Sequence, residues 1–188
     1  MSLIKYLKID YNNLYEDPLI KHLKVTKTPK CSEIISSFDK KTYILNWKGN
    51  PVNPHEKNRR MELENAIDLF NINDVNFIVI TKNITPDEQR ILKKYNIKSY
   101  GDDIDNDGKA FYDTISILRN VEGVISTDTS LPHLSLSLGV KTFVLLSIGC
   151  ELRWTTDNKT KWYPDAILLR QQKLGNWKDP IDKLKIML

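Results

Sequence analysis

Short apolar runs alternate with amphipathic segments along most of this chain. The strands predicted from these runs occupy residues 42–46, 76–80, 97–100, 123–126, 142–146 and 167–170. Between the first two, four apolar residues recur at helical spacing: Leu63, Ala66, Ile67 and Phe70. Apolar strands that alternate with helices are typical of a parallel sheet with helices on both faces. The pattern therefore predicts an α/β, Rossmann-like domain with a parallel sheet of about six strands.

Capping residues mark where the predicted helices begin. Thr85 is the predicted cap of a helix that has Pro86 in its first position and two acidic residues in its first turn. Ser32 is the predicted cap of a short helix that ends near Phe38. The remaining helices are predicted at residues 62–70, 110–118, 130–138 and 180–187.

The length of the chain, 188 residues, suits one globular domain with its own core. Residues 1–30 show little hydrophobic periodicity. We therefore expect residues 1–40 to form a linker or N-terminal extension and residues 41–188 to form the folded domain.

The segment that follows the fourth strand, Ser126-Thr127-Asp128-Thr129-Ser130, opens a predicted helix. Thr129 or Ser130 can cap this helix, and Pro132 is compatible with its first turn. The first N–H groups of a helix have no intrahelical partner and carry the positive end of its dipole. The segment is therefore a candidate anion site, although a helix with no ligand would show the same pattern.

Several motifs along the chain resemble those of one known family. Asp128-Thr129, His133-Leu134 and Leu138-Gly139 resemble the C-terminal lobe of the heptosyltransferase-like glycosyltransferases, glycosyltransferase family nine. The resemblance is greatest to the branch often fused to tetratricopeptide repeats. It continues, in the same order, in these motifs: Trp47-Lys48-Gly49-Asn50-Pro51, Arg59-Arg60, Phe111-Tyr112-Asp113-Thr114, Arg153-Trp154, Trp162-Tyr163-Pro164, Arg170-Gln171 and Asn176-Trp177.

This resemblance implies one lobe of a GT-B glycosyltransferase, a two-lobed enzyme of which this chain has room for one lobe. The implied ligand is a nucleotide-sugar donor, with no further cofactor, whose diphosphate lies at the helix start after the Ser126–Ser130 turn. Hexosyl or heptosyl transfer would then need a partner, either an N-terminal acceptor-binding lobe or a repeat domain, and we expect no activity from the chain alone.

Two alternatives stay open at this point. The first is a degenerate lobe that acts as a non-catalytic binding or interaction module. The second is another α/β enzyme, such as half of a sugar-nucleotide epimerase or a phosphatase-like domain. The second alternative lacks the usual acid/base clusters and a G-x-G-x-x-G fingerprint in this sequence.

Ligands of open α/β sheets bind beyond the carboxyl ends of the strands, where the family motifs of this chain fall. The candidate substrate-binding residues are Trp47, Gly49, Asn50, Pro51, Arg60, Asp128, Thr129, Ser130, His133, Trp154 and Arg170. No catalytic residue is assigned.

Each of these candidates also has a structural interpretation. Arg60 is expected to neutralise a phosphate, or else to lie in solvent beside Glu62. Asp128 either accepts hydrogen bonds from sugar hydroxyls or holds its own turn. His133 either donates to the ligand or is a satisfied, half-buried histidine. Trp154 either forms a wall of the ligand site or packs in the core.

Composition argues against several classes of protein. The net charge of +4 comes from 28 basic and 24 acidic residues without a basic block, which argues against nucleic-acid binding. The two cysteines are far apart, which suits a reducing compartment, and no apolar stretch approaches the ~18 residues of a membrane span. We therefore expect a cytoplasmic protein. No metal site is predicted, because the three histidines lie in unrelated segments.

Overall fold

The structure is a computed structural model that describes residues 27–106, 108 and 110–188. Most of the predicted N-terminal extension, residues 1–26, lies outside the described residues. The elements, in chain order, are α1 (Pro29–Ser36), β1 (Lys41–Asn46), α2 (Glu56–Arg59), a 3-10 helix (Leu63–Asn71), β2 (Val75–Val79), α3 (Pro86–Lys94), β3 (Lys98–Ser99), α4 (Tyr112–Leu118), β4 (Gly123–Thr127), α5 (Ser130–Ser137), β5 (Thr142–Leu146), a second 3-10 helix (Leu152–Trp154), β6 (Ile167–Arg170) and α6 (Lys178–Met187).

The six strands form one parallel sheet in the order β3-β2-β1-β4-β5-β6, which confirms the predicted fold class. Ile44 of β1 is in register with Ile78 of β2 on one side and with Val124 of β4 on the other. The chain adds strands outward from β1 in one direction and then returns to the other side of β1. The gap between β1 and β4 is therefore the topological switch point, where ligands bind in folds of this kind.

The core lies on both faces of this sheet because successive strand residues point in opposite directions. On β1, Tyr43 and Leu45 pack into one buried cluster with the 3-10 helix and α6. Ile44, between them, packs into the opposite cluster with residues of α1 and α4. Residues of β5 and β6 join Trp154 in a third cluster. Both faces of the sheet are thus covered, as the unbroken apolar strands predict.

One helix has a different N-cap from the one predicted, and another is of a different helix type. Thr28, not Ser32, caps α1, because its side chain accepts a hydrogen bond from Cys31 N and places Pro29 in the first turn, where proline is tolerated. Ser32 lies inside the helix, where its hydroxyl donates to Thr28 O. The predicted helix at 62–70 is a 3-10 helix. The predicted cap at Thr85 is confirmed, with Glu88 completing a capping box.

Candidate functional site

A cleft of 370 Å³ opens at the carboxyl ends of β1, β2 and β4. We call it the switch-point cleft. Its walls are the loop after β1, the loop after β2, residues 104–105 and 110–114, and the start of α5. The residues that line it are Asn46, Lys48, Gly49, Asn50, Ile80, Thr81, Lys82, Asn83, Ile104, Asp105, Ala110, Phe111, Thr114, Thr129, Ser130 and Leu131. Four of the predicted site residues are therefore brought together here: Gly49, Asn50, Thr129 and Ser130.

The start of α5 forms the floor of this cleft. Thr129 is the N-cap, and its side chain accepts a hydrogen bond from Leu131 N at 3.3 Å. Ser130, the first residue of the helix, is exposed and lines the cleft. The positive end of the helix dipole and the first-turn amides thus lie at the switch point, an arrangement suited to an anion.

A buried hydrogen-bond network fixes this turn to the ends of two strands. Asn46, the last residue of β1, donates through Nδ2 to the hydroxyls of Ser126 and Thr129, at 3.1 Å each. Its Oδ1 accepts a hydrogen bond from Thr81 Oγ1 at 2.7 Å. All four residues are buried. Asn46 is not among the residues predicted from sequence; its one local signal is that a polar residue ends an otherwise apolar run.

The loop after β1 packs directly on the α5 start. Gly49 N donates to Glu56 Oε1 at 2.5 Å, and Glu56 is buried. A Cβ atom on Gly49 would lie 2.9 Å from Glu56 Oε2 and 3.3 Å from Thr129 Cγ2. Asn50 stabilises the next turn by accepting from Val52 N. The exposed Pro51 lies in that turn and outside the cleft lining.

The side chains of the neighbouring residues Arg59 and Arg60 have different contacts. Arg60 pairs with Glu62 at 2.8 Å, has a 46% exposed side chain and does not line the cleft. Arg59 lies 3.3 Å from Glu56, the acid that holds Gly49, and its side chain is 23% exposed. Neither arginine lines the cleft, and Arg59 contacts the acid that holds the cleft residue Gly49. The phosphate role predicted for Arg60 stays a prediction.

Trp47 is fully buried and does not line the cleft. Its indole Nε1 donates to Glu88 Oε1 at 2.7 Å, and Lys48 Nζ lies 2.5 Å from the other oxygen of that carboxylate. Burial disfavours the ionised form of Glu88, but the hydrogen bonds from Lys48, Thr85 and Trp47 outweigh it and lower the pKa of that carboxyl. Trp47 thus anchors the β1 loop to α3.

A second group of predicted residues lies on the β5 side of the turn, outside the cleft lining. We call Asp128, His133, Trp154 and Tyr163 the Asp128 cluster. Trp154 Nε1 donates to Asp128 Oδ1 at 2.8 Å, and the ring of His133 stacks on Trp154 with centroids 4.8 Å apart. His133 Nδ1 lies 3.1 Å from the hydroxyl of Tyr163. Burial, followed by the positive charge of Arg153, lowers the pKa of His133 and favours the neutral ring.

Arg170 holds the loop that follows β5. Its Nη2 donates to the backbone oxygens of Trp154, Thr155 and Asp157, at 3.2, 2.9 and 3.3 Å. Its Nη1 lies 2.6 Å from Cys150 Sγ. Arg170 does not line the cleft, and its connection to the Asp128 cluster runs through the backbone of Trp154.

Among the described residues, one group could offer three ligand atoms to a metal ion: Asp128, His133 and Glu151, whose atoms lie within 4.8 Å of one another. Each already has a protein partner, since Trp154 donates to Asp128, Tyr163 contacts His133 and Arg153 donates to Glu151. This grouping was not predicted from sequence, because Glu151 belongs to a separate loop. That the site needs no metal or other cofactor stays a prediction.

Solved structures with a similar fold include three glycosyltransferases. The ADP-heptose lipopolysaccharide heptosyltransferase II of E. coli aligns with 87% of this chain at 10% identity and a TM-score of 0.57. The E. coli heptosyltransferase WaaC with ADP covers 88% at 10% identity, with a TM-score of 0.53. A family 9 glycosyl transferase from Veillonella parvula covers 79% at 13% identity, with a TM-score of 0.54. At these identities the likeness establishes the fold.

The chain spans about half the length of these neighbours: 52%, 50% and 42% of each. No protein-family model and no curated protein sequence matches this chain. In the part of the chain that the structure describes, no helix is both long and apolar enough to span a membrane.

Proposed function

We propose that this chain is the nucleotide-sugar-binding domain of a heptosyltransferase-like glycosyltransferase of family nine, of the kind fused to tetratricopeptide repeats. The observation that carries the proposal is the cleft at the switch point, with the capped start of α5 as its floor. A volume of 370 Å³ falls in the range of about 300–1,000 Å³ that is usual for small-ligand sites. One of the fold neighbours is described with ADP, which agrees with a nucleoside diphosphate as ligand.

In this proposal the diphosphate binds at the first turn of α5. The amides of that turn and the hydroxyls of Thr129 and Ser130 donate to phosphate oxygens. The base and ribose bind between the loop after β2 and the side chains of Ile104 and Phe111. Phe111 is 44% exposed at the cleft, so its ring is available for stacking.

A diphosphate also needs positive charge, and Arg59 is our candidate for it. Its guanidinium is oriented by Glu56, which in turn holds Gly49 beside Thr129. Arg60, the residue chosen from sequence, has Glu62 as its partner.

The test is a thermal-melt screen with UDP, GDP, ADP, CDP and dTDP. At about 100 times the dissociation constant, a bound nucleotide stabilises the fold by about 2.7 kcal/mol. Arg59→Ala should weaken binding of the active nucleotide about tenfold or more, since a charge-assisted hydrogen bond is lost. Arg60→Ala is the matched control and should bind like the wild type. If Arg60→Ala weakens nucleotide binding and Arg59→Ala does not, the phosphate contact belongs to Arg60.

A degenerate, non-catalytic module is the second candidate function, and one observation favours it. Asp128, for which a contact with sugar hydroxyls was one of two expected roles, is only 4% exposed and already accepts the indole N–H of Trp154. If none of the five nucleotides shifts the melt of the wild type, this second function is the better one.

We also propose that sugar transfer needs a second lobe. An acceptor hydroxyl must be activated by a base and aligned with the anomeric carbon. The chain spans about half of the neighbouring glycosyltransferases, so an N-terminal acceptor-binding lobe or a repeat domain is the proposed partner.

A further inference from the structure

The carboxamide of Asn46, at the end of β1, bonds to two other chain segments beneath the α5 start. It is 6% exposed and uses both ends, donating to Ser126 and Thr129 and accepting from Thr81. Because an amide nitrogen can only donate and an amide oxygen can only accept, this side chain fixes the direction of each bond that it makes.

The directions of these bonds determine what the hydroxyl of Thr129 can do. A hydroxyl oxygen accepts at most two hydrogen bonds. In Thr129 these come from Asn46 Nδ2 at 3.1 Å and from Leu131 N at 3.3 Å. The oxygen of Thr129 is therefore saturated, and the hydroxyl proton must be donated.

Within the described residues, the acceptor for that proton is Ser126 Oγ at 3.2 Å, whose own proton is donated to Thr127 O at 2.8 Å. Thr129 also lines the switch-point cleft, so an anion bound there would be a second acceptor. An anionic oxygen forms a shorter and stronger hydrogen bond than a neutral hydroxyl 3.2 Å away. A phosphate oxygen in the cleft would take this proton from Ser126.

We propose that Asn46 is a positioning residue that makes the Thr129 hydroxyl a hydrogen-bond donor to the diphosphate. This inference rests on the proposed function and deepens it, because it names the residue that prepares the site for an anion. Asn46 acts through Thr129, and we assign it no contact with the reacting atoms.

The experiment is a double-mutant cycle on nucleotide affinity. Wild type, Asn46→Ala, Thr129→Val and the double variant are titrated with UDP, GDP, ADP, CDP and dTDP, and with the corresponding nucleosides. Asn46→Ala should lower the affinity for the diphosphate about tenfold, because one charge-assisted hydrogen bond is affected. The affinity for the phosphate-free nucleoside should fall by less than about twofold. In the Thr129→Val background, Asn46→Ala should have no further effect on affinity.

Stability serves as the readout that separates positioning from folding. Asn46→Ala should lower the melting temperature in both backgrounds, because Thr81 and Ser126 lose a buried partner in either case. Ser135→Ala is the control, since this buried α5 hydroxyl bonds Thr142 and does not line the cleft. It should lower the melting temperature and leave diphosphate affinity unchanged. Asn46→Ser serves in the same cycle if Asn46→Ala does not fold.

Each outcome is decisive. Additive effects on affinity, or equal losses for diphosphate and nucleoside, would overturn the role of Asn46 while leaving the proposed function intact. Absence of nucleotide binding by the wild type would overturn the proposed function and this inference together.

Discussion

Because Gly49 has no side chain, the loop after β1 can pack closely against the start of α5. Gly49→Ala would place a Cβ 2.9 Å from the carboxylate of Glu56 and 3.3 Å from Thr129. Glu56 is buried and held by Gly49 N and Arg59, so it has little room to move. We expect Gly49→Ala to lower the free energy of unfolding by about 1–3 kcal/mol in urea denaturation.

Gly149→Ala is the control for that measurement. In the part of the chain that the structure describes, no heavy atom of a residue other than Gly149 and its two chain neighbours lies within 4 Å of the position its Cβ would occupy. Its unfolding curve should therefore match that of the wild type. Equal curves for Gly49→Ala and Gly149→Ala would contradict the packing of this loop on α5.

The two tryptophans among the candidates show what sequence could not predict at this scale. Trp47 and Trp154 are both fully buried, and each donates its indole N–H to a buried acid. The acids, Glu88 and Asp128, come from other elements, 41 and 26 residues away. No local pattern pairs residues across such separations, so the motifs favoured a core position for these tryptophans without identifying the acid that each one contacts.

At the scale of elements, the loop after β5 receives several hydrogen bonds from one side chain. Arg170 is the last residue of β6, and its guanidinium donates to three backbone oxygens of this loop. Arg170→Met should leave these oxygens without their donor and destabilise the fold by about 2–4 kcal/mol. Hydrogen exchange in residues 150–157 should speed up more than elsewhere.

Arg153→Met is the matched control for Arg170→Met. Arg153 lies in the same loop, but its side chain is 45% exposed and pairs with Glu151. Exposed pairs contribute little to stability, so this variant should exchange and melt like the wild type. A loop that exchanges equally in both variants would show that Arg170 does not hold it.

The strands were predictable from sequence because their signal is local. Apolar runs located all six, and the position of the cleft followed from the rule that ligands bind beyond the carboxyl ends of parallel strands. The capping residue of α1 was missed because Thr28 and Ser32 are both acceptable caps by residue type. The role of Arg170 could not be predicted, since it binds backbone oxygens whose positions depend on the loop fold.

At the scale of the whole molecule, the chain has a fold similar to that of its glycosyltransferase neighbours and spans about half their length. We therefore expect the isolated chain to bind a donor without transferring sugar. Incubation with the nucleotide-sugar of the best-bound nucleotide, with acceptor sugars present, should release no free nucleotide above background. Donor binding lowers the barrier only when an acceptor is in position. Steady turnover that His133→Ala abolishes would contradict this expectation.

The most direct test of diphosphate binding is a hydrogen-exchange footprint of the whole chain with each of the five nucleoside diphosphates. The prediction is slower exchange in peptides that cover residues 48–50 and 129–133, at the switch-point cleft. A second cavity of 270 Å³, lined by Thr42, Asn76 and Lys98 at the amino ends of the strands, gives an internal reference that should not change. No protection with any nucleotide, or protection confined to that second cavity, would contradict a diphosphate site at the start of α5.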